Sequence, residues 1–170
     1  VTVLACVLAA AAYLGAAHLV PALRGRSRWP AGRTAAWGGG LGCVVLGSGG
    51  PLATAHGDLR AHMAGHLLLG MVAPLLLVLA RPVTLALRTL PLHAARRLSR
   101  VLRSMPLRVL GDPFAAVVLN AAGLWVLYGT GLLTATAHSP GPHALVSVHV
   151  LLTGWLATAA VLALDPAPHR

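Results

Sequence analysis

Negative charge is nearly missing from this sequence. Asp and Glu together number 3 against 13 Lys and Arg, and every one of the 13 is arginine. Charged residues make up 9% of 170, whereas a soluble domain carries about a quarter. The chain therefore has too little polar surface to coat a globule in water. The same scarcity argues against paired-carboxylate catalysis, because Asp58, Asp112 and Asp165 stand apart at the ends of apolar runs. Aromatic residues are only 4%, so Leu, Val and Ala supply the apolar mass. Two cysteines, Cys6 and Cys43, lie inside apolar stretches with no CxxC. That pattern offers neither a thioredoxin motif nor a zinc ribbon and leaves both as small packing residues. HExxH is absent, and Gly38-Gly39-Gly40 has no P-loop lysine after it, so the glycines read as a site of close helix packing.

The bulk of the chain is hydrocarbon. Hydrophobic residues reach 57% and the mean hydropathy is +0.79. Since a span needs about 20 apolar residues, the sequence predicts an all-α, polytopic transmembrane bundle in a lipid bilayer, forming a single domain over residues 1–170. Roughly five spans are expected, at about 1–22, 34–53, 59–80, 113–133 and 143–164. Short connections rich in Gly, Pro and Arg join them. The first residue is Val1, which suggests a fragment or lost upstream residues. A signal peptide is the alternative for this first stretch, with Ala11, Ala16 and Ala17 mimicking a cleavage site. The missing basic n-region and the spanning length favour a true span.

The arginines are distributed with one sidedness. Arg24, Arg26, Arg28 and Arg33 fill the first connection, and Arg88, Arg96, Arg97, Arg100, Arg103 and Arg108 the third. The second (Ser48 to Asp58) and fourth (Thr134 to Pro142) have none. The positive-inside rule places the two Arg loops in the cytoplasm of a multi-pass plasma-membrane protein. Basic charge flanking apolar helices points to topology and anionic lipid, and nucleic acid is not an expected partner. Within the third connection Leu92, Ala95, Leu98, Val101 and Leu102 recur three or four apart between arginines, which predicts a short amphipathic helix on the membrane surface.

Histidine is the informative residue. Nine are present. His56 and His138 fall in the outer loops, His62 and His66 in the outer end of the third span, and His143 and His149 in that of the fifth. His18, His93 and His169 belong to the inner side. At 1.5 Å per residue, His66 and His149 lie about 10 Å below the outer surface on different helices. His62 is one turn from His66 on the same face, while His143 is about 120° around the helix from His149. Intramembrane polar groups usually face the bundle interior and mark function, and neutral imidazole suits copper, haem iron and zinc. The predicted metal ligands are thus His62, His66 and His149, with His143 and the soft thioether of Met63 as further candidates. Met71, deeper in the span, is expected to pack as core. Asn120 is expected to bond across helices, Trp125 and Tyr128 to form an aromatic belt, Pro74 to kink the third span, and Asp58 to cap it.

These residues resemble the polytopic CtaG family of cytochrome c oxidase assembly factors. The match runs from His62 through His66-Leu67-Leu68-Leu69 to Ala73-Pro74 and Arg81-Pro82. It continues at Leu110-Gly111-Asp112-Pro113, then His149-Val150-Leu151-Leu152-Thr153-Gly154-Trp155 and Asp165-Pro166-Ala167-Pro168. The resemblance is strongest to the actinobacterial branch, whose members are sometimes joined to a copper-resistance-type membrane domain. It implies a non-enzymatic role in maturing a haem-copper oxidase, with copper delivery to oxidase subunits or exchange with a copper donor protein. It carries His62, His66 and His149 onto matching positions. The family usually has about seven spans, and relatives often carry a second His near Tyr128 and a His or acid around Val146 or Ser147. A b-type haem cytochrome with His66 and His149 as axial ligands, or a copper transporter, is the competing expectation.

Overall fold

In a hydrocarbon layer each backbone N–H and C=O must find its partner inside the protein, and the helix is the local solution. The computed structural model describes residues 2–20, 22, 27–49, 59–130 and 140–162, and among them every regular element is helical. Helix α1 spans Thr2–Leu14 and continues through a π-helical turn, Gly15–Leu19. Helix α2 is Ala31–Gly49. Helix α3 runs Leu59–Leu67, passes through a second π turn, Leu68–Val72, and continues as Ala73–Leu79. Three short helices come next: α4 (Pro82–Thr89), α5 (Leu92–Leu102) and α6 (Met105–Leu110). Helices α7 (Pro113–Gly129) and α8 (Pro140–Leu162) complete the bundle.

The five expected spans correspond to α1, α2, α3, α7 and α8. Thr2–Leu19, Met63–Thr89 and Gly141–Leu162 are long and apolar enough to cross a membrane, and Pro113–Leu127 is a shorter apolar helix. The arrangement is a row. α2 packs on α1 and on α3, α8 packs along α3, and α7 packs on α8. α3 is therefore the central element, and its Ala73, Leu77 and Val78 are buried.

Glycine sets how closely the row can pack. A Cβ added to Gly40 of α2 would lie 2.8 Å from Leu77 Cγ, and one on Gly47 would lie 2.9 Å from the carbonyl oxygen of Gly65. On the other side of α3, a Cβ on Gly154 of α8 would overlap the carbonyl oxygen of Gly70 and come within 2.9 Å of Pro74 Cγ. These are the small-residue crossings that membrane helices use when no hydrophobic force separates helix from lipid. Of the expected glycine triplet, Gly40 and Gly39 face α3, whereas Gly38 has nothing within 4 Å of its Cβ position.

Prolines and caps divide the chain. Asp112 caps α7, its Oδ1 accepting from the amides of Phe114 (3.0 Å) and Ala115 (3.1 Å). Pro74 lies just after the π turn of α3, which adjusts the backbone where the proline N–H is missing. Asp58, expected to cap α3, lies outside the described residues. α3 stops at Arg81, whose φ of 52° is left-handed; the adjoining Pro82 disfavours the α conformation there.

That break lies beside the carbonyl of Ala80, a fully buried residue. The Tyr13 hydroxyl of α1 donates to Ala80 O at 2.7 Å. Trp29 Nε1 donates in turn to Tyr13 Oη at 2.9 Å. The Tyr13 ring stacks on Trp37 at 4.6 Å, and Trp37 Nε1 donates to Ala9 O at 3.3 Å. One polar chain thus joins α1, α2 and the α3–α4 corner.

Both features can be tested on the protein in detergent. Gly154→Val and Gly40→Val force the helices apart and should each lower unfolding stability by about 1–3 kcal/mol, while Gly38→Val leaves it unchanged. Tyr13→Phe removes the hydroxyl that donates to the Ala80 carbonyl and accepts from the Trp29 indole and should cost about 1–3 kcal/mol. Thermal unfolding tracked by size-exclusion retention measures both, and equal behaviour of the three glycine variants would contradict the close crossings.

Candidate functional site

Helix register decides which histidines can meet. Val150 Cγ1 lies against Gly70, and Gly154 against Gly70 and Pro74, so α8 runs parallel to α3. α7 runs antiparallel to α8, since Asn120 meets Thr153 and Gly123 meets His149. This register puts His149 within about one helical turn of the depth of His66.

Their surroundings differ. His66 lines a groove of about 710 Å³ that lies between α3, α7 and α8, together with Met63, Gly70, Met71, Asn120 and Thr153. His149 lines a neighbouring cavity of about 380 Å³ between α7 and α8, with Gly123 and Leu145. Asn120, Leu127 and Val150 line both. The ring of His149 rests on Gly123, where a Cβ would overlap its Nε2. That Nε2 is buried and makes no hydrogen bond. An imidazole nitrogen held against a largely apolar wall without a partner is a costly arrangement.

The supporting polar groups lie one turn away. Thr153, itself buried, has its Oγ1 3.0 Å from the carbonyl oxygen of His149 and 3.4 Å from Asn120 Oδ1. The expected cross-helix role of Asn120 is thus a contact with Thr153. The sequence offers no hint of Gly123; only the spatial pairing of α7 with α8 shows it as the seat of the His149 ring.

Met63 shares the groove with His66, three residues away on α3. Met71, expected in the core, is instead 63% exposed and lines the same groove. The π turn at Leu68–Val72 adds a residue to the turn between His66 and Met71, which rotates the remainder of α3 out of α-helical phase. His143 is half-buried on α8 and lines neither cavity; its carbonyl oxygen accepts from Ser147 Oγ at 2.8 Å. Trp125 is exposed, in keeping with a belt position. The side chains of His62 and Tyr128, and all of His56, His138, His169 and Asp165 to Pro168, lie outside the described residues. Among the described residues no three His, Cys, Asp or Glu side chains gather closely enough to hold a metal ion.

The fold and the site define a class: a multi-pass helical membrane protein with histidines on neighbouring spans. Within that class the family is specific. Residues 11–170 match the family model for the cytochrome c oxidase caa3 assembly factor, Caa3_CtaG, and the chain belongs to this family. Uncharacterized proteins of Mycobacterium bovis and Mycobacterium tuberculosis are each 37% identical over 166 residues, covering 92% of this chain and 25% of their own length. One from Mycobacterium leprae is 32% identical over 164 residues, covering 91% of this chain and 25% of its own length. The chain therefore spans about a quarter of the length of the curated relatives it matches. No solved structure matches it.

The Gly123 seat gives a direct prediction. Gly123→Ala must displace the His149 ring and should destabilise the protein by about 1–3 kcal/mol. Adding His149→Ala removes the obstructing ring and should recover most of that loss. A double variant no more stable than Gly123→Ala alone would show that the ring does not sit there.

Proposed function

We propose that this chain serves the assembly of a haem-copper cytochrome c oxidase by holding copper as cargo at the outer end of α3 and α8 and passing it to an oxidase subunit. The observation that carries this reading is the unpartnered, buried Nε2 of His149 at the depth of His66. His66 and Met63 share one groove and present an imidazole and a thioether, a set suited to Cu(I). His62, one turn before His66 in α3, extends the set. His149 joins it when its ring turns from Gly123 toward the shared wall at Asn120. Cargo that must be released favours such a site, because ligand exchange requires coordination that is incomplete at rest.

The proposal includes an orientation. Arg33 and Arg88 gather over Trp29 at the far end of α3 from His66, where Arg88 also bonds Ser27, and the positive-inside rule assigns that end to the cytoplasm. The histidine end then faces outward, where a copper donor protein or the oxidase's own copper centre is reached. The role is one of binding and transfer, without catalysis.

Anaerobic Cu(I) titration of the detergent-purified protein tests the site. Even changes around a metal's ligands cost about tenfold or more in affinity, so the triple variant His62→Ala, His66→Ala, His149→Ala should lose at least that much. Unchanged stoichiometry and affinity would remove copper from these residues. A Soret band in the purified protein would instead assign the histidines to haem.

A further inference from the structure

At the end of the bundle opposite His66, the short helices hold a feature that copper handling does not use. Arg96, Arg100 and Arg103 recur at intervals of four and three along and just beyond α5, and so share a face. With Ser99 and Ser104 they line a cleft of about 870 Å³ whose apolar wall includes Leu87 of α4. Three guanidinium groups so close together repel one another, and the described residues include a single carboxylate, Asp112, which is engaged in capping α7. The charge is thus concentrated, directed into one cleft and uncompensated by the carboxylates of the described residues.

We propose that this cleft binds the phosphate of an anionic phospholipid. Guanidinium groups match phosphate oxygens in paired hydrogen bonds, and the two serine hydroxyls add neutral donors on the same wall. The lipid, as opposed to a soluble phosphate, is indicated by the surroundings of the charge. α5 comes directly after the apolar run Met63–Thr89, where a chain leaving a bilayer meets the headgroups. α5 itself has no buried residue, and its Leu92, 67% exposed and one turn from Arg96, lines the cleft beside the charge, an apolar side chain that acyl chains cover. The site binds headgroup and chain together.

Native mass spectrometry of the full chain, titrated with phosphatidylglycerol or phosphatidylcholine, tests this. Wild type should retain phosphatidylglycerol and not phosphatidylcholine. An interfacial arginine contributes roughly fivefold to anionic-lipid affinity. Arg100→Gln alone should therefore weaken binding by about fivefold, and the triple variant Arg96→Gln, Arg100→Gln, Arg103→Gln by about a hundredfold. Arg97→Gln with Arg108→Gln, which changes two charges outside the cleft, should leave most of the affinity. Wild-type affinity in Arg100→Gln, or equal loss from the Arg97 and Arg108 pair, overturns the proposal. Glycerol phosphate binding as tightly as the lipid would assign the cleft to a soluble phosphate, and tighter binding of a polyglutamate peptide would assign it to a protein partner; either result overturns the lipid assignment.

Discussion

The distance of α3 from its two neighbours governs the rest of this molecule. Helices in lipid gain nothing by hiding Leu from a solvent that is itself hydrocarbon, so they hold together through close contact and shared polar bonds. Gly40 and Gly47 of α2 admit α3 from one side, and Gly154 of α8 meets Gly70 of α3 on the other. The α3–α8 crossing fixes the register that brings His149 to the level of His66. The Gly123 contact then sets how near α7 lies to α8. Each functional distance in the site is inherited from a glycine that has no chemistry of its own.

A second constraint acts at the other end. The α3–α4 corner at Arg81 breaks the helical ladder beside a buried carbonyl, and a hydroxyl from α1 donates to that carbonyl. The contact is extended by Trp29, over which the guanidinium groups of Arg33 and Arg88 lie at 4.7 and 5.9 Å. Stacked cations of this kind hold charge near an interface without a counter-carboxylate, in a chain that has few carboxylates to offer. The arginines there serve packing, since Arg88 also donates to the carbonyl oxygen of Ser27 at 2.9 Å.

Much of this architecture is legible in the residues alone, and the illegible part has a definite cause. Apolar runs of membrane length reveal the helices, because a bilayer imposes length and hydrophobicity directly on sequence. Three- and four-residue spacing reveals the amphipathic α5 for the same local reason. Periodicity states which residues of one helix share a face, but not which neighbour that face meets. Hence depth groups His149 with His62 and His66, while its ring rests on Gly123 of α7. Met71 lines the groove although its depth suggests the core, because depth does not state which face of a helix a residue occupies. His143, carrying the right side chain near the right depth, lines neither cavity because it lies on another face of α8.

The histidine end buries one imidazole nitrogen without a hydrogen-bond partner. An imidazole nitrogen buried without a partner costs about 1–3 kcal/mol, and replacement by an apolar residue of similar size would remove that cost. The fold could also have satisfied it, for Thr153 and Asn120 lie one turn away and bond elsewhere. Instead a glycine on α7 makes room for the ring, in a cavity lined by Leu, Val and Ala with Asn120 as the one other polar side chain.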